Sequence, residues 1–210
     1  MSSINEKSHT ENMDIMFSYI PDAVGQESIP LLDERLVFAI HKDHPAAAPL
    51  KKFAVSYEQI ISKNIPFQNE VEDTTIFENV PFIETGRLSD VDSRLNQIVK
   101  LHKVSPYVVA HSSNYEIRYR LMQEKLGAVF ITDLFLSTLP QISRDIYFIP
   151  LNSPLSFRTL YIRYHKNRKA NEHLHKFITN IFEYCKTDPK LCDYCGKYIA
   201  EYENNHKHSL

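Results

Sequence analysis

The chain has 210 residues, 43% of them hydrophobic and 24% charged, which is enough to bury a real core as one domain or two small lobes. A formal charge of −2 and a pI near 6.5 argue against the concentrated basic face of an autonomous DNA-binding module. The three cysteines, Cys185, Cys192 and Cys195, are odd in number and crowd the C-terminus, which argues against a disulfide framework and fits a reducing compartment.

Residues 1–12 are polar and lack the basic-then-apolar layout of a secretory signal, and no apolar run approaches the roughly 18 residues that span a bilayer. A cytoplasmic location is expected. Residues 13–20 are mostly apolar and predict a first strand, closed by a turn at Pro21-Asp22. Asp33-Glu34-Arg35 reads as a turn before a second strand over residues 36–40. Residues 41–49, dominated by proline and alanine, read as a bridge in which no helix fits. Ser56 can cap a short helix through Ile61 that Pro66 stops, and the aperiodic, acidic remainder makes residues 51–79 read as a surface insertion.

The stretch from Pro81 to Thr132 is the most legible and predicts strand, helix, strand, helix, strand. Residues 80–84 are a short apolar run ended by Thr85-Gly86. Ser89 can cap a helix whose first turn carries Asp90 and Asp92, and Val91, Leu95, Ile98, Val99 and His102 share one face of it. Residues 107–110 are strand formers after Pro106. Ser112, Ser113 and Asn114 can cap the next helix, with Tyr115, Tyr119, Met122 and Leu126 at helical spacing and Gly127 at its end. Residues 128–131 are nearly pure apolar, as in a strand of a parallel sheet buried on both faces. Two βα units imply right-handed crossovers, and ligands bind such sheets beyond the carboxyl ends of the strands, where Thr85, Ser112, Ser113 and Thr132 fall. Beyond them come a short helix over residues 133–139, a strand at 147–149, a second bridge at 150–156, a strand over 157–164 and a basic turn at 165–169. A helical stripe of Leu174, Phe177, Ile178, Ile181, Phe182 and Cys185 closes the pattern.

An ordered series of blocks carries a resemblance: MDIMFSYIPD, IPLLDERLVFAIHKDHP, PFIETG, SSNYEIRYRLMQEKLGAVFIT and IYFIPLNSPLSFRTLYIRYHKNRKANEHLHKFITNIF. Over residues 13–185 the chain resembles the effector-binding domain of LysR-type transcriptional regulators, with Ala128 where the family's second glycine usually stands. The resemblance implies an α/β, periplasmic-binding-protein-like fold of type II, with two lobes joined by paired hinge strands. Residues 13–45 and 151–186 would form an outer lobe, 46–150 an inner lobe and 187–210 a C-terminal extension. It also implies that Ser18, Tyr19, Thr85, Gly86, Arg87, Ser112, Ser113 and Thr132 line an effector cleft between the lobes. The function implied is the sensing of a small-molecule effector, possibly anionic in view of Arg87 and the helix start beside it, by population shift between lobe arrangements. Family members associate through this domain, so a homo-oligomer is expected. The family's winged helix-turn-helix has no counterpart in the sequence, so a truncated form that does not bind DNA by itself is expected. The outer lobe's first strand and helix lack counterparts too, which leaves the strand at 13–20 to fray, to pair with 36–40, or to recruit a second chain. Pairing across chains, or poor solubility, is the favoured expectation over a well-formed monomer.

Three other readings compete. One is a stand-alone small-molecule-binding protein of the same fold, unconnected to transcription. Another is a zinc module built on Cys185, Cys192, Cys195, His206 and His208, but a single C-x-x-C supplies half of a structural site. An enzyme using Glu84, His111 and Ser112 or Ser113 lacks any accompanying nucleophile elbow or phosphate loop. No catalytic residue, cofactor, metal or membrane partner is expected.

Overall fold

The computed structural model describes residues 15–21, 24–86, 89–168 and 171–206. Its strands are β1 (Ile15–Ser18), β2 (Gln26–His41), β3 (Pro81–Glu84), β4 (Tyr107–His111), β5 (Val129–Thr132), β6 (Ile146–Pro150) and β7 (Phe157–His165). The α-helices are α1 (Tyr57–Ile61), α2 (Asp90–Lys100), α3 (Tyr115–Gln123), α4 (Asp133–Thr138), α5 (Glu172–Thr187) and α6 (Pro189–His206). None of the helices among the described residues is long and apolar enough to cross a membrane. The chain divides into two units, one reaching from the N-terminus to Asp33 and resuming at Thr159, the other Glu34–Arg158. One unit is thus continuous and the other is built from both ends of the sequence. The divisions fall inside β2 and β7, not at the bridges expected near residues 45 and 150, so the strand expected at 36–40 in the outer lobe lies in the continuous unit.

The continuous unit holds the predicted βαβαβ run. β3 and β4 pair in parallel, and β5 joins β3 through Ile83 N–H to the Ala128 carbonyl (2.8 Å) and Ala128 N–H to the Pro81 carbonyl (2.7 Å). β2 then runs antiparallel between β5 and β6. Alternation along these strands feeds two cores. Leu36, Phe38, Phe82 and Phe130 pack with Val91, Leu95 and Ile98 of α2 on one face, and Val37, Ala39, Val129 and Ile131 pack with Tyr119, Met122 and Leu136 of α3 and α4 on the other. Gly127 is required by closeness, since a Cβ there would lie 2.7 Å from the Pro81 carbonyl oxygen. The left-handed turn after α3 falls instead on Lys125 (φ 63°).

Three local expectations need correction. Asp33-Glu34-Arg35 is no turn: β2 runs straight through for 16 residues, because each charged side chain finds a partner. In the continuous unit the Arg35 guanidinium donates to Glu70 (2.6 Å) and the Leu151 carbonyl (3.1 Å). The first bridge is a 3-10 helix, Pro45–Phe53, whose cap is the His44 ring nitrogen Nδ1 accepting from Ala46 N–H at 3.0 Å. Residues 67–80 are no surface insertion. Val71 exchanges backbone hydrogen bonds with Pro150 and Asn152, and Phe77 packs its ring on Phe38 and Phe82, with centroids 4.5 and 6.5 Å away.

In the other unit β1 pairs antiparallel with Tyr161–Tyr164 of β7, an arrangement outside all three expected outcomes. Arg163 fastens that edge by donating to Ser18 Oγ (3.0 Å) and Gln26 Oε1 (2.9 Å). Pro189–His206 of the C-terminal extension form a helix, α6, laid on α5. Tyr194, Cys195, Tyr198, Ile199 and Tyr202 cover the stripe of Leu174, Ile178, Phe182 and Cys185, with Phe182 and Tyr202 stacked at 4.6 Å. Asp33 anchors the helix: its Oδ1 accepts from Tyr198 (2.8 Å) and Thr159 (2.6 Å), and its Oδ2 from Lys197 (2.5 Å). Burial pushes the Asp33 carboxyl up, but the hydrogen bonds from Lys197, Thr159 and Tyr198 outweigh it and hold it below its ordinary value. We therefore expect Tyr198→Phe to lower stability by about 1–2 kcal/mol and Asp33→Ala by more, since the alanine strips three donors at once. Urea denaturation checks this, and a neutral Asp33→Ala would show that α6 is not held there.

Candidate functional site

The carboxyl ends of β3, β4 and β5 lie side by side in the continuous unit and carry Thr85-Gly86, Ser112-Ser113 and Thr132-Asp133. Gly86 takes a φ of 123°, open to glycine and strained for other residues. Ser89 caps α2 as its sequence predicts. Two of the amides expected to be exposed at this turn, those of Thr85 and Gly86, are nonetheless already taken. Asp92, three residues past the cap, reaches back so that its Oδ1 accepts Thr85 N–H (3.2 Å) and its Oδ2 accepts the Thr85 hydroxyl (2.5 Å) and Gly86 N–H (2.8 Å). The chain thus supplies its own anion where a ligand's was expected.

The other expected residues fall into separate roles. Thr132 is buried and caps α4 through Oγ1, accepting Phe135 N–H at 3.0 Å. Ser112 is half-buried, with its N–H on the Glu84 carbonyl and its Oγ accepting Asn114 N–H at 3.3 Å, while Asn114 itself caps α3. Ser113 is exposed. Ser18 and Tyr19 lie in the other unit, where Ser18 Oγ accepts from Ile20 N–H and Arg163. Arg87 lies outside the described residues. His111 approaches Glu84 at 3.8 Å, and burial, with Asp92 nearby, raises the Glu84 carboxyl. Cys185 and Cys195 are buried and Cys192 exposed, and among the described residues no cluster of three His, Cys, Asp or Glu side chains is placed to hold a metal ion.

Residues that sequence reasoning passed over carry most of the site's charge. Glu34 and Arg158 form a buried ion pair (2.5 Å). Arg158 also donates to Asp90 Oδ2 (3.1 Å), which Arg94 shares at 2.8 Å, and to the Tyr115 hydroxyl (3.4 Å). The guanidinium of Arg118 lies over the ring of Tyr115, 4.4 Å from its centroid, and donates through Nη1 to the Phe130 carbonyl (3.2 Å). Arg118 is wholly buried, and its Nε and Nη2 make no hydrogen bond among the described residues. Burial lowers its pKa, yet a guanidinium stays protonated at any ordinary pH. The signal for Arg118 was its place three residues after Tyr115, which puts both on one side of a helix. The signal for Asp92 was its place three residues after Ser89, from which a carboxylate reaches back past the cap.

Asp133, at the end of β5, accepts from Arg35 N–H and Leu134 N–H, both at 2.8 Å. Burial pushes its carboxyl up to about 6, with Glu34 adding to the rise. The folded chain therefore holds this proton to higher pH than the unfolded chain does, so its contribution to stability declines from about pH 4 to pH 6 and then levels off. Relative to Asp133→Asn, the wild type should lose on the order of 2–3 kcal/mol across that window. Urea midpoints at half-unit pH steps check this, and parallel profiles for the two proteins would contradict it.

No family model and no curated protein matches the sequence. Solved structures do. The regulatory domain of CcmR from Synechocystis PCC6803, in complex with 2-PG, aligns over 85% of this chain and 76% of its own, with a TM-score of 0.62 at 14% identity. The effector binding domain of QuiR, in complex with shikimate, aligns over 87% of this chain and 76% of its own (TM-score 0.58, 16% identity). The regulatory domain of MetR, a LysR family regulator from N. meningitidis, aligns over 83% and 70% (TM-score 0.56, 16% identity). At such identities likeness speaks for the fold. This chain has the α/β, periplasmic-binding-protein-like type II fold of the LysR-type regulatory domains.

Proposed function

We propose that this chain is the effector-sensing domain of a LysR-type transcriptional regulator, taking a small molecule at the carboxyl ends of β3, β4 and β5. The observation that carries the reading is its likeness, over more than four-fifths of its length, to regulatory domains solved with 2-PG and with shikimate. Local geometry supports it: three strand ends converge, each followed by a capped helix, as at the ligand-binding edge of open α/β sheets. Ser113 is an exposed donor there, and Ser112 stands half-open beside it. Thr85, Gly86 and Thr132 shape the site through their own hydrogen bonds, and Arg87 follows Gly86 in sequence as a further candidate. The output is a shift between conformations that bind the effector unequally, passed on in an oligomer in the cytoplasm, without catalysis.

A thermal-shift screen of small metabolites tests this. One compound should stabilise the chain, by about 2.7 kcal/mol at a concentration a hundred times its Kd. Ser113→Ala should weaken that response without changing the ligand-free melting temperature. Thr85→Val should cost about 1–2 kcal/mol even without ligand, because it removes a donor from the Asp92 carboxylate. A screen in which no small molecule stabilises the chain would contradict the reading.

A further inference from the structure

Arg118 is the one described arginine that is wholly buried while two of its nitrogens make no hydrogen bond of good geometry among the described residues, with the Tyr115 side chain as a weak polar neighbour. A buried polar group left unpaired is costly, and a buried cation more so, which makes such a group improbable as mere packing. The pattern of pairing is informative. Nη1 holds the Phe130 carbonyl and the Tyr115 ring lies against the guanidinium plane, so the group is fixed in orientation. The unpaired nitrogens, Nε and Nη2, share one edge of the guanidinium, the side that grips a carboxylate or phosphate with two parallel hydrogen bonds. Among the described residues no carboxylate is hydrogen-bonded in that role. Both oxygens of Asp92 are committed to Thr85 and Gly86, Glu34 is committed to Arg158, and Asp90 is shared by Arg94 and Arg158.

We propose that Arg118 is the specificity-determining residue of the effector site, and that it takes an oxyanion of the effector, a carboxylate or phosphate, on its Nε–Nη2 edge. This rests on the effector-sensing reading and narrows it to one chemical class of ligand. The location expected for an anion in the sequence, the Thr85-Gly86 turn, is occupied by Asp92, so recognition moves to the start of α3. Because the guanidinium is closed off from solvent, a ligand reaches it only after local opening, and association should be slower than for an open pocket.

The test is a thermal-shift and calorimetric titration of the full chain with inorganic phosphate, sulfate, acetate, 2-phosphoglycolate and shikimate, beside shikimate methyl ester as a neutral control. At least one oxyanion should stabilise the wild type in proportion to its concentration. Arg118→Met should abolish the response. Arg118→Lys keeps the charge but lacks the two-pronged edge, and should weaken binding at least tenfold while remaining folded. A response equal to wild type in either folded variant overturns the proposal, as does a wild type that answers to none of the oxyanions. A neutral compound that stabilises wild type and Arg118→Met alike would leave the effector-sensing reading standing and overturn this one. Stabilisation by no compound of any charge would count against both.

Discussion

The structure depends on how one strand carries three consecutive charges without breaking. β2 runs 16 residues, and Asp33, Glu34 and Arg35 sit near its middle, where the chain passes from one unit to the other. A charge at such a place survives only if it is paired. Asp33 is met within its own unit by Thr159, Tyr198 and Lys197. Glu34 is met in the continuous unit by Arg158, and Arg35 by Glu70. Thr159 and Arg158 are neighbours on β7, so the second passage of the chain supplies an answering side chain for two of the three charges. Removing one partner of the buried Glu34–Arg158 pair would strand the other charge, at a cost of about 3–5 kcal/mol.

Those pairings organise what lies around them. Arg158 also holds Asp90 at the start of α2 and Tyr115 at the start of α3, so the two helices beside the strand ends are tied to the same guanidinium. Asp92 closes the Thr85-Gly86 turn from within, and Asp133 receives the backbone N–H of Arg35. Acids and arginines are closely interleaved, which prepares donors of fixed orientation and disfavours a loosely held anion. Among the described residues Arg118 makes no hydrogen bond to a carboxylate, although the nearby charge of Asp92 favours its cation.

The βαβαβ run was legible because its information is local: helical spacing in α2 and α3, Ser89 and Asn114 as caps, and an unbroken apolar β5. The charged triplet in β2 misled because three polar residues in a row read as a turn, while the partners that straighten them lie 35 or more residues away. The 3-10 helix at Pro45–Phe53 was missed because proline and alanine argue against a regular α-helix and say little about a tighter one. β1 found its partner in β7, a pairing that edge-strand reasoning had no means to select. α6 hid behind its C-x-x-C, although Tyr194, Tyr198 and Tyr202 recur every fourth residue as one face of a helix. In the candidate site the strand-end positions were legible from topology. The commitment of Thr85 to Asp92 and the burial of Arg118 arise from side chains meeting in three dimensions.

The central claim is that ligand binding happens at the strand ends of the continuous unit. Hydrogen exchange with and without a stabilising small molecule tests it most directly, because it reports where the backbone is protected. The account predicts new protection in residues 84–92 and 111–118, with little change in α5 and α6. Protection confined to α5 and α6, or absent from both strand-end segments, would contradict it.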